Sequence, residues 1–451
     1  MPGEPARSGG GIFEPIVTSD DLLATTDDRA WVRAMLDVEA ALARVEARHG
    51  VIPGEAAAAI GAGCDTAPVD LDELGRAARA GGNPVIPLVA ILRRALPPSA
   101  RDWVHWGATS QDVLDTAAML IVARSLPLID ADLTQLAAGC AGLAERHRST
   151  PMAGRTLLQH ALPITFGQKA AGWLVAALDA RAALRNVVPR LAVQLGGAAG
   201  TLAALGDAGP EVLRSLALDL GLAEPVLPWH TDRTRVAEVA SALGLVAGTG
   251  AKIAFDVALM MQTEIAEVQE PAAPGRGGSS TLPHKRNPVG AAAVGAAERH
   301  ATSLVGLLLA GMVQEHERAV GAWQAEWEAL GSLLRVAGGI AARVAETVVG
   351  LEVSTDAMAR NLRQSGGLLL SERVVIALSP AVGREKALAA VRRAGERRST
   401  SGRSFADELL EEPAVRDHLG PAEVARLLDP LGYLGSAERF VDRALAAYRS
   451  A

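Results

Sequence analysis

The sequence has few aromatic residues. They make up 3% of its 451 residues, as 7 Trp, 5 Phe and 2 Tyr. β-Strands favour aromatic and β-branched side chains, whereas small side chains allow helices to pack closely. Hydrophobic residues are nevertheless 49% of the chain and charged residues only 21%, which excludes an intrinsically disordered protein. We therefore expect an all-α protein whose core is built mainly from Ala, Leu and Val.

The sequence also lacks the features of exported and membrane proteins. Its two cysteines, Cys64 and Cys140, are too few for a disulfide framework, which favours a reducing compartment. The first residues lack the apolar core of a signal peptide. The longest uncharged run, residues 191–206, is shorter than the roughly 20 apolar residues that span a bilayer. We expect a cytoplasmic protein without a membrane partner.

Positive charge is not in excess either. The formal net charge is −7, from 51 acidic and 44 basic residues. Binding of nucleic acid generally needs a basic surface that neutralises phosphates, and this composition provides no such general surface. We expect no nucleic-acid partner, and an anionic substrate would have to be bound by a few local cations.

Amphipathic helical patterns dominate what the sequence does contain. From about Asp27, the residues Met35, Val38, Leu42 and Val45 recur at spacings of three and four, as on one face of a helix. Longer helical patterns cover residues 113–148, 164–190, 232–270, 289–314 and 325–350. The clearest of them, 232–270, would be a helix of roughly 55–60 Å. Helices of this length usually pack in extended bundles, often between subunits.

These patterns predict three helical domains. Residues 1–110 would form an N-terminal helical domain, residues 111–350 a central long-helix bundle and residues 351–451 a C-terminal helical domain. The first boundary lies where a Gly- and Pro-containing stretch, GGNPVIP, is followed by the polar segment HWGATSQD at residues 105–112. Beyond residue 350 the helical patterns shorten and Gly and Pro breaks return.

A polar loop interrupts the helical patterns between Pro271 and Gly290. The segment PAAPGRGGSSTLPHKRNPVG contains four prolines and four glycines, so it cannot continue a helix. Connections between helices are normally short, and a long one rich in polar groups is typical of a binding loop or a lid. Among the polar residues that it carries are Ser279, Ser280, His284, Lys285, Arg286 and Asn287.

The segment GSSTLPHKRNP of this loop resembles the signature of the aspartase/fumarase superfamily, G-S-S-x-x-P-x-K-x-N. Seven further blocks resemble the 3-carboxy-cis,cis-muconate cycloisomerases of that superfamily, in the expected order over nearly the whole chain. They are HWGATSQDVLDTA (105–117), GRTLLQHALPIT (154–165), QLGGAAGTLAALG (194–206), WHTDR (229–233), ALMMQTEIAEV (258–268), QEHERAVGAWQAEW (314–327) and LLDPLGYLG (427–435). The resemblance implies a central long-helix bundle, a small polycarboxylate substrate, and a homotetramer with active sites shared between subunits.

The resemblance also implies a chemistry. Members of the superfamily move a proton at the carbon α to a carboxylate while a group adds or leaves at the β carbon. The match assigns proton transfer to Ser279 and the grip on a substrate carboxylate to Lys285 and Asn287. A serine hydroxyl is a poor base unless donors or a cation hold its anion, and Lys285 and the loop N–H groups are candidates. The implied reaction is the reversible conversion of 3-carboxy-cis,cis-muconate to 4-carboxymuconolactone, in the protocatechuate branch of β-ketoadipate catabolism.

The block HWGATSQD places further polar groups just before a helix. By resemblance, Thr109, Ser110 and Gln111 bind substrate carboxylates through two hydroxyls and an amide. Ser110 or Asp112 could instead cap the N-terminus of the helix. His105 matches a histidine of the same block, for which substrate binding and a structural, hydrogen-bonded role are both open.

One block departs from the pattern of fumarases and adenylosuccinate lyases. Those enzymes carry His directly after Thr in a T-H-x-Q pattern, as part of the acid system. Here Leu157 occupies that position, and a histidine follows three residues later as His160. Because leucine cannot transfer protons, the departure argues against plain fumarase or adenylosuccinate lyase activity. His160 is the candidate for protonation on this segment, with a structural role as the alternative.

The segment EHER offers a further cation for a polycarboxylate. Arginine is suited to bidentate recognition of carboxylates, so we predict that Arg318 faces the substrate. A solvated helix end accounts for Glu315 and Glu317.

Two other classes of protein stay open. The first is a lyase on the same scaffold that releases fumarate from an N-substituted succinate, such as adenylosuccinate or nitrosuccinate, because few side chains retune related sites. The second is a non-catalytic helical scaffold, against which the joint retention of Ser279, Lys285 and Asn287 argues. The sequence has no H-E-x-x-H, no paired cysteine spacing and no complete phosphate loop. We therefore expect neither a metal nor an organic cofactor.

Overall fold

The structure is a computed structural model that describes residues 12–273, 275, 277–278, 281–282 and 284–451. Helices account for most of this part of the chain, so the predicted all-α class is confirmed. The α-helices are α1 Glu14–Val17, α2 Asp20–Thr26, α3 Asp28–Arg48, α4 Gly54–Thr66, α5 Leu71–Gly81, α6 Val85–Ala95, α7 Pro98–Arg101, α8 Ser110–Arg146, α9 Phe166–Val187, α10 Gly209–Leu220, α11 Thr234–Met260, α12 Val289–Ala310, α13 Ala322–Val349, α14 Thr355–Gln364, α15 Ser371–Val382, α16 Arg384–Ser401, α17 Phe405–Glu411, α18 Pro413–Arg416, α19 Pro421–Leu427 and α20 Ala437–Ser450.

Two short antiparallel strand pairs accompany the helices. Strands β1 Pro151–Thr156 and β2 Gln159–Thr165 form a hairpin, in which Arg155 lies opposite His160. Strands β3 Val268–Gln269 and β4 Glu352–Val353 form the second pair. These strands are too short to form a layer of their own.

The predicted helices near the N-terminus and in the middle of the chain are present. Helix α3 begins after Asp27, whose carboxylate accepts a hydrogen bond from the Ala30 N–H at 2.8 Å and so caps the helix. The predicted apolar face of α3 is buried throughout. The five long patterns correspond to α8, α9, α11, α12 and α13.

The predicted helix over residues 232–270 is too long at its C-terminal end. Helix α11 ends at Met260, after 27 residues, and α8 with 37 residues is longer. The backbone turns after Met260, with a left-handed φ of 49° at Ala266, and then enters strand β3. Glu267 is fully buried there in an ion pair with Arg155, and this tertiary partner outweighs the helical periodicity of the sequence.

The described chain divides into two compact units. Unit 1 contains the described residues up to Thr134, Asp179–Lys252 and Ala292–Val344, and unit 2 contains Gln135–Leu178, Ile253–Ala291 and Ala345–Ala451. The predicted division into domains 1–110, 111–350 and 351–451 stays a prediction.

Each unit has its own buried apolar cluster. In unit 1, α3 and α10 pack with residues 193–205, burying Leu42, Val45, Leu195, Val212 and Leu216 among others. In unit 2, helices α15 to α19 surround Phe405, which is 0% exposed.

Close helix packing in unit 1 uses small residues, in keeping with the Gly-rich composition. Gly250 of α11 faces Ile340 of α13, and a Cβ at position 250 would overlap the Ile340 side chain.

Helix α11 is long and apolar enough to cross a membrane, as is the bent helical segment Thr355–Gln364 with Leu368–Val382 taken together. In α11 the stripe Val236, Val239, Leu243 and Val246 is at most 1% exposed, as in a core helix.

Candidate active site

The segment HWGATSQD lies in unit 1, and its last residues form the first turn of α8. The Thr109 N–H donates to Asp112 Oδ2 at 2.9 Å, and the Asp112 N–H donates to the Thr109 carbonyl at 2.9 Å. The first contact is one half of a capping box, in which a side chain of the first helical turn accepts from the N–H of the N-cap residue. Of the two residues proposed as alternatives for capping, Asp112 therefore has a capping role.

Asp112 also joins three of the motif blocks. Its carboxylate accepts hydrogen bonds from the N–H groups of Gly196 and Gly197, both at 2.9 Å, and lies 2.7 Å from His230 Nε2. Asp112 is 1% exposed. A buried carboxylate needs such a set of donors, and here they fix the segments around residues 109, 196 and 230 relative to each other.

A second buried charge cluster lies one helical turn further along α8. Asp115 makes a bidentate pair with Arg233, at 2.8 and 3.1 Å, and Arg233 Nη2 donates to Glu326 Oε2 at 2.6 Å. The cluster is enclosed by tryptophans: Trp323 Nε1 donates to Asp115 at 2.8 Å, and Arg233 Cζ lies 4.8 Å from the centre of the Trp229 ring.

Burial and pairing oppose each other in this cluster. Burial raises the pKa of Glu326, and the nearby Arg233 lowers it by less, so the net shift is upward. Burial lowers the pKa of Arg233, but the carboxylates of Asp115 and Glu326 raise it by more. Removing one partner of such a network leaves an uncompensated buried charge, which costs about 3–5 kcal/mol. The cluster is therefore a rigid support for the neighbouring surface.

Gln111 and Arg318, both predicted to bind substrate, are in contact. Arg318 Nη1 donates to Gln111 Oε1 at 3.0 Å, and Arg318 Nη2 donates to the carbonyls of Gly197 and Ala198 at 3.3 and 2.9 Å. Gln111 is fully buried, and its Nε2 donates to Asp115 at 3.1 Å and to the His230 carbonyl at 2.8 Å. In this structure the amide of Gln111 therefore positions Arg318, and direct binding of substrate by Gln111 stays a prediction.

Arg318 keeps its positive charge available. The side chain is half-buried, and its hydrogen-bond partners in the described part of the chain are neutral oxygens. A guanidinium held by neutral acceptors can still pair with an anion.

Thr109, Ser110 and His105 lie in the same unit. Thr109 and Ser110 are half-buried at the start of α8. His105 has a left-handed backbone φ of 62°, and its Nδ1 lies 2.6 Å from Glu39 Oε1. Burial lowers the pKa of His105, but the contact with Glu39 raises it by more, so the net shift is upward.

His160 belongs to unit 2. It lies on strand β2 opposite Arg155, which pairs with Glu267 through two hydrogen bonds of 2.9 and 2.8 Å. Asn361 Nδ2 donates to the same Glu267 at 2.9 Å. Burial, followed by the positive charge of Arg155, lowers the pKa of His160, which favours the neutral imidazole at pH 7.

The hairpin turn next to His160 contains the departure noted in the sequence. Leu157 and Leu158 have φ values of 51° and 66°, and they are 96% and 71% exposed. Two leucines thus hold a conformation that normally suits Asn and Gly.

The loop between α11 and α12 also belongs to unit 2. Ser279 and Ser280 lie outside the described residues. On either side of them, the Asn287 N–H donates to the Gly277 carbonyl at 2.8 Å, and Gly278 forms an antiparallel bridge with Arg286. Gly277 has a φ of 68°, and a Cβ there would lie 2.7 Å from the Asn287 carbonyl oxygen. Lys285 is exposed and Asn287 is half-buried.

Two further residues anchor the ends of this loop. Arg286 Nη2 donates to the Glu270 carbonyl at 2.8 Å and pairs with Glu352 at 3.1 Å. The Glu270 carboxylate accepts from the N–H groups of Gly290 and Ala291, at 3.0 and 2.8 Å, at the start of α12. A carboxylate at a helix N-terminus is favourable, so the segment after the loop has a fixed starting point.

The predicted site residues therefore fall into two described sets. Unit 1 holds His105, Thr109, Ser110, Gln111 and Arg318, and unit 2 holds His160, Lys285 and Asn287. In the described residues, no group of three or more His, Cys, Asp or Glu side chains is arranged to hold a metal ion.

Sequence reasoning gave no role to several buried residues that support the candidate site. They are Glu39, Asp115, His230, Arg233 and Glu267, with Glu326 from the EHER block region. All of them except Glu39 lie inside the motif blocks, where an ionisable residue among apolar neighbours was the available signal. Glu39 lies outside the blocks, on the otherwise apolar pattern of α3.

Two family profiles match the chain. The profile described as Lyase matches residues 15–301, and the profile described as Adenylosuccinate lyase C-terminus matches residues 367–444. The chain belongs to the lyase family, within the aspartase/fumarase superfamily of enzymes. The resemblance inferred from the motif blocks is confirmed.

Particular relatives resemble the chain over its full length. It is 47% identical to a 3-carboxy-cis,cis-muconate cycloisomerase from Pseudomonas aeruginosa, over 97% of this chain and 96% of the relative. It is 43% identical to a nitrosuccinate lyase from Streptomyces davaonensis, over 96% of this chain and 94% of the relative. Among solved structures, it matches the 3-carboxy-cis,cis-muconate lactonizing enzyme from Pseudomonas putida with a TM-score of 0.92 and 42% identity, over 98% of this chain and 99% of that one.

Proposed function

We propose that the protein interconverts 3-carboxy-cis,cis-muconate and 4-carboxymuconolactone. The full-length similarity to cycloisomerases supports the reaction class. The observation that carries the choice within the superfamily is the hairpin turn. Leu157, which is 96% exposed, stands where the fumarase and adenylosuccinate lyase pattern has a proton-transferring histidine.

The proposed reaction needs no outside reactant. A carboxylate oxygen of the substrate forms a bond to the β carbon, while the electrons of the double bond move to the α carbon and its carboxylate. A proton then adds to the α carbon, and the reverse reaction removes it. The aci-carboxylate formed between these steps carries concentrated negative charge, so it requires cations and directed donors.

We assign these steps to the residues predicted from the sequence. Ser279 exchanges the α proton, and Lys285 with Asn287 binds the carboxylate that carries the developing charge. Arg318 binds a second carboxylate. Two observations support this assignment: Gln111 orients the guanidinium, and no carboxylate among the described residues pairs with it. Thr109 and Ser110 donate hydroxyl hydrogen bonds.

The role of His160 is narrower. Its lowered pKa makes it mostly neutral at pH 7, so it suits a hydrogen-bond donor or a base better than a cationic acid.

The assembly is part of the proposal. We infer a cytoplasmic homotetramer whose active sites are shared between subunits, acting on a small polycarboxylate. Light scattering should give a mass about four times the 46.6 kDa chain. A monomeric, fully active enzyme would contradict the shared site.

A second function is favoured by one specific observation. The nitrosuccinate lyase from Streptomyces davaonensis is 43% identical to the chain over nearly its full length. A lyase that releases fumarate from an N-substituted succinate is therefore the alternative.

Assays of the purified protein with both substrate classes separate the two proposals. Loss of the carboxymuconate diene absorbance with appearance of the lactone is expected, with no fumarate from nitrosuccinate or adenylosuccinate. Fumarate release without lactone turnover would replace the first proposal by the second. Ser279→Ala serves as the control for contaminating activity in both assays.

A further inference from the structure

Two carboxyl groups lie inside unit 1 on the same side of helix α3. Glu39 and Glu46 are 2% and 1% exposed, and they are two helical turns apart. Glu39 Oε2 and both carboxyl oxygens of Glu46 have no hydrogen-bond partner among the described residues. Buried carboxyl groups without partners are costly, so their presence calls for a functional explanation.

Glu39 has one partner, and that partner belongs to a motif block. Glu39 Oε1 lies 2.6 Å from Nδ1 of His105, whose side chain is 17% exposed. A short contact of this kind fits a charge-assisted hydrogen bond between an imidazolium and a carboxylate. His105 stands four residues before Thr109, a predicted substrate-binding residue.

The backbone of His105 is held in an unfavourable conformation. Its φ is 62°, in the left-handed region that is unfavourable for a non-glycine residue. Such a conformation persists only when surrounding contacts fix it. The Glu39 contact and the hydrogen bond from Arg93 Nη2 to the Val104 carbonyl, at 3.0 Å, provide this restraint.

We propose that Glu39 is a positioning residue that holds His105 as a cation next to the predicted carboxylate-binding groups of Thr109 and Ser110. The proposal rests on the proposed function in one respect, the polycarboxylate nature of the substrate. A fixed imidazolium at this place adds a positive charge that the hydroxyls themselves cannot supply.

The charged groups around His105 are consistent with the protonated form. Burial lowers the pKa of His105, Glu39 and then Asp112 raise it, and Arg93 lowers it, with a net upward shift. Burial, followed by the charge of Glu39, raises the pKa of the Cys64 thiol to about 12, so the thiol stays neutral.

Glu46 behaves differently from Glu39 and provides a matched control. Burial, together with the charge of Glu39, raises the pKa of Glu46 to about 9. At neutral pH Glu46 is therefore uncharged. Glu39→Gln removes the carboxyl group that contacts His105, whereas Glu46→Gln replaces a carboxyl group that is already uncharged.

Titration of the histidines by NMR tests the proposal in the free protein. The His105 signal is identified by its loss in His105→Gln. In the unaltered protein its midpoint should lie above 6.5; Glu39→Gln should lower it by about one pH unit or more, whereas Glu46→Gln should leave it in place. A midpoint that Glu39→Gln does not change would overturn the proposal.

Kinetics supply the second readout. Glu39→Gln should raise KM several-fold at a pH above the His105 midpoint of the variant and much less at a pH below it, where His105 is protonated even without its partner, with a smaller effect on kcat. An equal increase of KM at both pH values would assign Glu39 a merely structural role.

Neither misfolding of the variant nor failure of the proposed function leaves the role of Glu39 untested. If Glu39→Gln does not fold, the titration of the unaltered protein decides, and a His105 midpoint at or below 6.5 refutes the proposal. Absence of carboxymuconate turnover would refute the proposed function, and the NMR titration would still test the role of Glu39.

Discussion

At the scale of single residues, a neutral amide orients the cation that we assign to the substrate. Gln111 contacts Arg318 with its oxygen, and its nitrogen is fixed by Asp115 and the His230 carbonyl. A carboxylate in place of Gln111 would neutralise Arg318, whereas the amide orients the guanidinium and leaves its charge available. The buried cluster around Arg233 holds this amide in place.

Arg318→Ala tests this arrangement. The variant should raise KM for the polycarboxylate by about 10- to 100-fold, because hydrogen bonds to charged groups contribute about 1.5–3 kcal/mol. Steady-state kinetics measure the effect. Arg214→Ala is the matched control, since Arg214 lies on the surface of α10 in an ion pair with Glu211. An unchanged KM in Arg318→Ala would exclude Arg318 from the binding site.

Ser279→Ala tests the proton-transfer role. We expect kcat to fall by at least about 100-fold, because a positioned acid–base group typically contributes a factor of 10²–10⁴. Thermal unfolding should change little. Ser303→Ala, which alters an exposed hydroxyl of α12, should retain full turnover. Near-normal turnover of Ser279→Ala would assign the proton transfer to another group.

The sequence identified candidate residues inside the motif blocks, but it did not identify the buried residues that hold them in place. Gln111 and Arg318 could be selected because they match a superfamily pattern, but the contact between them spans 207 positions of the chain. Glu39 and Glu267 lie on segments with an apolar helical pattern. Their partners, His105 and Arg155, become neighbours only through tertiary packing.

At the scale of elements, the β1–β2 hairpin stores backbone strain at its tip. Leu157 and Leu158 are exposed and both have positive φ values, as in a type I′ turn. The structure thus keeps two apolar side chains in solvent at a conformational cost. Strain of this kind concentrates at functional sites.

Replacement of both leucines, Leu157→Asn with Leu158→Gly, should stabilise the fold. Asn and Gly adopt the left-handed conformation more readily, so we expect the free energy of unfolding to increase by about 1–2 kcal/mol. Chemical denaturation measures this change. Leu218→Asn, at another exposed leucine within α10, should give no stabilisation. A less stable hairpin variant would contradict the turn conformation, and a loss of turnover would assign the leucines to the active site.

For the helices, the sequence predicted positions well but placed one helix end wrongly. Periodicity located α3, α8, α9, α12 and α13 because each buries an apolar stripe. It extended α11 by ten residues, since Ile265 and Val268 continue the stripe on paper. The chain leaves the helix because Glu267 is drawn into its pair with Arg155 and Val268 pairs with Val353, and neither partner is visible in a local pattern.

At the scale of the whole molecule, buried acids make the stability of the fold depend on pH. Burial raises the pKa of Glu46 from its ordinary 4.5 to about 9. The folded state therefore prefers the protonated form. The stabilising contribution of this preference is complete below pH 4.5 and is lost as the pH rises to 9.

Glu46→Gln should remove this pH dependence. The variant should be more stable than the unaltered protein at pH 9, by at most about 6 kcal/mol. The two proteins should differ little at pH 5. Denaturant unfolding at both pH values measures the difference. Equal losses of stability between pH 5 and pH 9 would show that Glu46 is ionised in the folded protein or accessible to water.

The overall charge and composition agree with a small anionic substrate. With a net charge of −7, we expect the binding of such a substrate to depend on local cations, and Arg318 and Lys285 are the ones that we propose. Composition alone predicted a helical core. The chemistry came from short motifs, because composition holds no information on which side chains meet.

Turnover of 3-carboxy-cis,cis-muconate in D2O, followed by proton NMR, tests the central claim most directly. The account predicts formation of 4-carboxymuconolactone with one deuterium on the carbon α to a carboxylate, and product formation at least about 100-fold slower with Ser279→Ala. The contradicting result is an unchanged carboxymuconate spectrum while the same protein releases fumarate from nitrosuccinate or adenylosuccinate.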